Sequence, residues 1–159
     1  MNRRILGLAL VGILSVVLAG CAPKPTYAEV RQETLDAMDE VVDLLPDHGR
    51  ISQTPEFEPY GCHDQLLLGQ KQNGAFFTGQ WVVAVAPDFD VSRFTEQLPR
   101  LLGDGWVRED LGVPVKRAYV YLVRTSPHMT LSVGETTLDG APAIELLAIS
   151  RCGVEPPED

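Results

Sequence analysis

The sequence predicts an α+β domain of two layers, an antiparallel sheet with two helices packed mainly on one face. Three observations predict it. Apolar residues recur at helical period early in the chain, at Val30, Ala37, Met38, Val41 and Leu45, whereas Met129, Leu131 and Val133 alternate with Thr130 and Ser132 at strand period. The elements come in the order helix, strand, helix, then a run of strands. Tight-turn signals join the late strands, above all Asp139-Gly140, and such turns connect antiparallel neighbours.

Thr26 and Glu29 open the first helix at capping-box spacing, where hydroxyl and carboxylate can each satisfy an end amide. Arg31, Glu33, Asp36, Asp39 and Glu40 take its polar faces, and Pro46 stops it. Residues 49–61 read as irregular or as holding a short strand around Ile51, and residues 62–68 as a strand or a short helical turn. Asn73-Gly74 signals a turn. Residues 76–86 form a strand whose stretch from Trp81 is apolar at successive positions, which places it centrally with both faces covered. Asp90 caps a second helix with Val91, Phe94, Leu98, Leu101 and Leu102 on one side. Pro99 should kink or shorten that helix, and Gly103 or Gly105 should end it. Four strands follow, at residues 106–111, 117–124, 128–137 and 143–152. Gly112-Val113-Pro114 closes the first, Ser126-Pro127 the second, and Ile144, Leu146 and Ala148 share one face of the last. No internal repeat is present.

Residues 1–20 are graded in a different way. Arg3 and Arg4 supply a positive start, residues 5–18 are apolar apart from Ser15 and two glycines, and Leu18-Ala19-Gly20 precede Cys21. A positive region, an apolar region and a small-residue cleavage site define a secretory signal. The apolar run is about fourteen residues, short of the roughly twenty that a spanning helix needs. Leu18-Ala19-Gly20-Cys21 resembles the lipobox of bacterial lipoproteins. That resemblance implies lipid on the Cys21 sulfur, cleavage before Cys21, and anchoring on the outer face of the cytoplasmic membrane, or at the outer membrane in a two-membrane envelope. Arg3-Arg4 also raises twin-arginine export. Asn2 and Ile5-Leu6-Gly7 fit that pattern poorly, and the general secretory route is expected.

This divides the chain into a signal (residues 1–20), a lipidated cysteine and tether (21–26), one α+β domain (27–153) and a disordered tail (154–159). The whole chain carries a net charge of −9. Loss of Arg3 and Arg4 leaves 11 basic against 22 acidic residues, a net charge of −11. Such a body is repelled by nucleic acid and by anionic headgroups, so nucleic acid is not an expected partner, and lipid rather than a basic patch must hold the membrane. The tether reaches only about 15 Å, which keeps the domain close to the bilayer.

Of three cysteines, Cys21 is taken by lipid, leaving Cys62 and Cys152. In an exported chain a disulfide between them is expected, closing a loop of about ninety residues and stabilising by up to roughly 4.5 kcal/mol in the chain-entropy description. Two free thiols are the alternative. The early helix, Gly61-Cys62-His63-Asp64, the strand–helix unit at residues 76–102 and the late meander ending in Cys152 resemble the LppA-like lipoproteins of actinobacteria. That resemblance implies the same Cys62–Cys152 bridge and carries no enzymatic activity with it.

His63 adjoins Cys62, but adjacent residues of an extended segment point to opposite faces. His48, His63 and His128 lack metal-ligand spacing to one another. Asp88-x-Asp90-x-Ser92 starts like a calcium loop, yet Arg93 stands where glycine is needed and Pro99 where a bidentate glutamate is needed. No nucleophile elbow, phosphate-binding glycine loop or zinc-protease motif occurs. Glu109-Asp110 reads as a solvated pair, and Lys116, Arg117 and Arg124 as surface cations rather than an anion site. No catalytic residue, metal or cofactor is therefore expected. The expected role is a non-catalytic, membrane-tethered module that binds an envelope protein or a small apolar ligand. A hydrolase or thiol oxidoreductase using Cys62 or His63, and a structural subunit of an envelope complex, are the alternatives.

Lipidation has a direct check. Mass spectrometry of the native product should find a chain starting at Cys21 with acyl mass added, and Cys21→Ser should move the protein out of the membrane fraction.

Overall fold

The computed structural model describes residues 24–56, 58–62 and 74–154. Two helices and eight strands alternate as α1 (Tyr27–Asp43), β1 (Ile51–Gln53), β2 (Tyr60–Gly61), β3 (Ala75–Phe76), β4 (Thr78–Ala84), α2 (Val91–Leu101), β5 (Trp106–Arg108), β6 (Tyr119–Thr125), β7 (His128–Leu138) and β8 (Ala141–Ser150). Six strands form one antiparallel sheet in the order β1-β4-β8-β7-β6-β5, and β2 and β3 pair separately. The architecture is the α+β two-layer arrangement.

Register explains why both helices lie on one side. Trp81, Leu146, Val133 and Val120 stand opposite one another across β4, β8, β7 and β6, as do Val83 and Ile144, and Leu131 and Leu122. All project to one face and join a single buried cluster with Met38 and Val41 of α1 and Phe94 and Leu98 of α2. Each such side chain, once fully buried, contributes roughly 1.5–3 kcal/mol. Gly79 lets α1 come close: a Cβ there would lie 2.6 Å from the Met38 sulfur.

Local chemistry sets the element ends. The Thr26 hydroxyl accepts from the Glu29 amide at 3.2 Å while the Glu29 carboxylate accepts from the Thr26 amide at 2.7 Å, closing the capping box. The Asp90 carboxylate caps α2 by accepting from the Arg93 amide at 2.9 Å. Asp139 (φ 52°) and Gly140 (φ 82°) both take the left-handed conformation that a two-residue hairpin requires.

Several expectations are corrected. The Trp81 run is not central: β4 sits between β1 and β8, and β8 and β7 occupy the middle. Its residues alternate between buried and half-buried, because neither described helix covers the second face of the sheet. The predicted strand also breaks at Phe77, whose amide donates to the Ser150 hydroxyl at 2.8 Å. Helix α2 runs through Pro99 to Leu101. Proline stands there in the last turn, where only one interior hydrogen bond is lost. Leu101 is 43% exposed rather than in the core, whereas Leu102 is buried. The strand expected at residues 106–111 ends at Arg108.

The chain ends meet. The Tyr27 amide donates to the Val154 carbonyl at 2.9 Å, and the Val154 amide to the Pro25 carbonyl at 2.8 Å. Ordered pairing thus includes Pro25 and Thr26 of the expected tether and reaches Val154, which had been placed in the tail. Residues 155–159 and the segment at 63–73 lie outside the described residues, as does the signal. No helix among the described residues is long and apolar enough to cross a membrane.

This closure depends on Gly153, where a Cβ would meet the Thr26 carbonyl oxygen and the Tyr27 Cα, each at 2.6 Å. Gly153→Ala should therefore lower stability in urea unfolding by about 2–3 kcal/mol, since backbone must shift. Gly79→Ala should lose less than about 1.5 kcal/mol, because the Met38 thioether can move aside.

Candidate functional site

Beyond β5 the chain leaves the sheet edge and returns to it at β6. The Glu109 amide still donates to the Tyr121 carbonyl at 3.0 Å, and the Asp110 carboxylate accepts from the Gly112 amide at 2.9 Å, turning the chain away. Gly112 takes φ 69°, which suits a residue without Cβ. Between this connection, β6 and the first half of α2 lies an open groove of about 590 Å³. Helix α2 supplies Ser92, Thr95 and Glu96 to one wall, β6 supplies Tyr119 and Tyr121, and the connection supplies Leu111, Val113 and Val115. Arg108, Glu109, Asp110 and Arg117 add charges of both signs to the lining.

The three aliphatic residues are unusual for a loop. Leu111 is 44% exposed, Val113 63% and Val115 42%, and Val107 on the neighbouring strand is 57% exposed. Scattered apolar residues on a surface need no explanation, but grouped ones mark recognition sites. The groove is also distant from the point where the chain enters the domain. Tyr119 sits in the row of Gly134, Glu145 and Val82, whereas Thr26 bonds beyond the other end of β8, about 17 Å away along the strands.

The cysteines lie at that entry end. Cys62 and Cys152 are joined, with their Cα atoms 6.2 Å apart, and the Cys62 amide donates to the Gly74 carbonyl at 2.8 Å. The bridge ties the small β2–β3 pair, where Tyr60 stacks on Phe76, to the segment after β8. Cys21, the lipobox residues Leu18, Ala19 and Gly20, and also His63 and Asp64, lie outside the described residues. His48 and His128 are exposed, and no group of three metal-ligating side chains occurs among the described residues.

The cations considered together in the sequence are dispersed. Arg124 packs its guanidinium 5.0 Å over the Trp106 ring on the helix side of the sheet. Arg117 donates to the Glu135 carbonyl at 3.1 Å and lies 3.7 Å from the Glu145 carboxylate. Lys116, immediately before Arg117 in the chain, is exposed. The groove itself carried one legible signal, the apolar stretch Leu111-Gly112-Val113-Pro114-Val115, read in the sequence only as the closure of a strand.

A second, smaller groove of about 220 Å³ runs between α1 and β4. Arg31 bridges it to Glu56 and lies 5.5 Å over the Phe77 ring. The hydrogen bond from Arg31 holds the Glu56 carboxyl below its ordinary range, and the bond with Glu56 raises Arg31 in turn. The Thr26 amide and hydroxyl lower Glu29. Asp39 is shifted the other way, raised by partial burial and then by Asp43 and Asp36 on the same helix.

Comparison with protein-family models, with curated proteins and with solved structures finds no match to this chain. The reading of its surface therefore rests on its own geometry.

The two signs of shift separate by pH. A carboxyl raised in the folded state opposes folding once it ionises, so Asp39 contributes stability at low pH that is lost as pH rises through its folded value. Asp39→Asn should stabilise by about 0.2–0.5 kcal/mol at neutral pH, as for other like-charge helix pairs, and leave stability unchanged below the carboxylate range. A lowered carboxyl contributes stability above its ordinary range that is lost as pH falls, so Glu56→Gln should destabilise at neutral pH and not in acid. Urea unfolding at the two pH values checks both.

Proposed function

We propose that this chain is a cell-envelope lipoprotein, anchored by lipid on Cys21, whose domain binds another envelope protein through the groove between α2 and the β5–β6 connection. The carrying observation is the cluster of Leu111, Val113 and Val115 exposed along a groove that also holds charges of both signs. A small apolar ligand is favoured by enclosed pockets that remove most of its surface from water. An open groove with acidic and basic side chains suits a protein segment that presents apolar and charged side chains together.

The anchor gives this placement meaning. A short tether from Cys21 would hold the entry end of the domain against the bilayer, and the groove lies toward the opposite end of the strands. Its apolar rim would then face a neighbouring protein rather than the lipid. The acidic body disfavours nucleic acid in the same position. The resemblance to LppA-like lipoproteins belongs to the same reading.

Site-specific photo-crosslinking in the full chain tests it. A photoreactive side chain at Val113 should give one discrete envelope-protein adduct, while the same group at Glu40 on α1 gives none. Equal labelling from both positions, or an adduct to lipid alone at Val113, would overturn the proposal.

A further inference from the structure

Among the described residues, neither helix lies on the second face of the sheet. On a sheet face that meets water, outward positions are ordinarily polar or charged. Here β4, β8, β7 and β6 share three ladder rows of outward positions, twelve in all, and five carry the partly or fully exposed Val82, Tyr119, Tyr121, Leu147 and Ile149, while Val123 is buried among its neighbours. Glu145 is the only charged residue in those rows. It accepts from the Gln80 amide at 2.7 Å and is matched by Arg117 at 3.7 Å. The Tyr119 ring lies over Gly134, 3.0 Å from where a Cβ would stand, which fills the gap that glycine leaves in the face.

From this we infer that the open sheet face is a self-association surface, and that its occupant is a second copy of this chain packed sheet against sheet. Charge selects the occupant. The chain as a whole is at −9, and α1 carries Glu29, Glu33, Asp36, Asp39, Glu40 and Asp43 on the other layer. Two copies approaching through α1 bring like charges together, whereas the sheet faces present compensated charge and apolar surface. Neutral faces are thus the side on which this acidic chain can meet itself.

Size is consistent with that role. Strands about 4.8 Å apart and some seven residues long make the four-strand face roughly 450 Å² per copy, and the neighbouring β5 brings it toward the lower limit for a specific stable interface, about 600 Å² per partner. Val107, at 57% exposure on the adjoining strand, extends it. Two antiparallel sheets stack about 10 Å apart with their strands within about 30°, as in a β-sandwich. A two-fold axis parallel to the strands relates the two faces isologously and leaves both entry ends on the same side. A membrane attachment at each N-terminal end is compatible with that symmetry, and the inference does not depend on it.

The test uses the full chain extracted in mild detergent. Light scattering should give twice the monomer protein mass, and Leu147→Glu, which puts one uncompensated charge on each facing sheet, should weaken dimerisation at least tenfold with an unchanged circular dichroism spectrum. Thr130→Cys should form a disulfide-linked dimer under mild oxidation in cells, and Glu40→Cys should not. The cross-link decides the matter should Leu147→Glu fail to fold. A monomeric wild type, a dimer that survives in folded Leu147→Glu, absence of the Thr130→Cys cross-link, or cross-linking at Glu40 would overturn the inference. So would a complex with a different protein on this face and no homodimer. None of these outcomes bears on the Val113 adduct, so failure here and failure of the proposed function are separable.

Discussion

Asp139 and Gly140 hold a positive φ, and through that turn they determine which residue of β7 faces which residue of β8. These are the two longest strands and the middle of the sheet, with β4 laid against one and β6 against the other. A slip of one residue between them would turn one strand's inward set outward, either Leu131 and Val133 or Ile144 and Leu146, and bring Thr130 and Ser132 or Glu145 and Leu147 under the helices in its place. The helices carry no alternative apolar surface to meet that arrangement. The core, the placement of both helices and the character of the open face therefore all follow from one hairpin register.

Features encoded by neighbouring residues were legible. The capping box at Thr26 and Glu29, the Asp90 cap and the Asp139-Gly140 turn each depend on groups within a few residues of one another, and each forms as the sequence indicates. What required distant partners was harder to read. The run from Trp81 looks buried on both faces, and its true environment depends on β8 lying beside it and on both described helices packing on the other face. Leu101 fits an apolar stripe by spacing, yet the sheet below α2 does not extend to it. Arg117 and Arg124 are an odd number of residues apart, so strand alternation alone was enough to separate them. The groove arises where the chain after Arg108 passes the first half of α2, an approach that no local pattern in either segment specifies.

Apolar surface is distributed unequally between the two layers. Helix α1 sheds almost all of it into the core and keeps carboxylates outside, while the sheet retains aliphatic and tyrosine side chains on its free side and on the β5–β6 connection. Acidity and stickiness are thus segregated, and the two proposed contacts lie on the same side of this division. They meet along β6, where Tyr119 and Tyr121 border both the groove and the open face. Partner binding at one and pairing at the other would share this strand, which gives a physical route for coupling between them.

The junction of Pro25, Thr26 and Tyr27 with Val154 has a mechanical side. A force drawn through the N-terminal end of the domain arrives first at this parallel bridge, next to the Cys62–Cys152 link. That link makes a covalent ring of β3 to β8 together with α2, and leaves α1, β1 and β2 outside it. Tension can peel away the first helix, but the ring itself cannot be drawn out to full length, so most of the sheet would remain wound while its leading segment stretched.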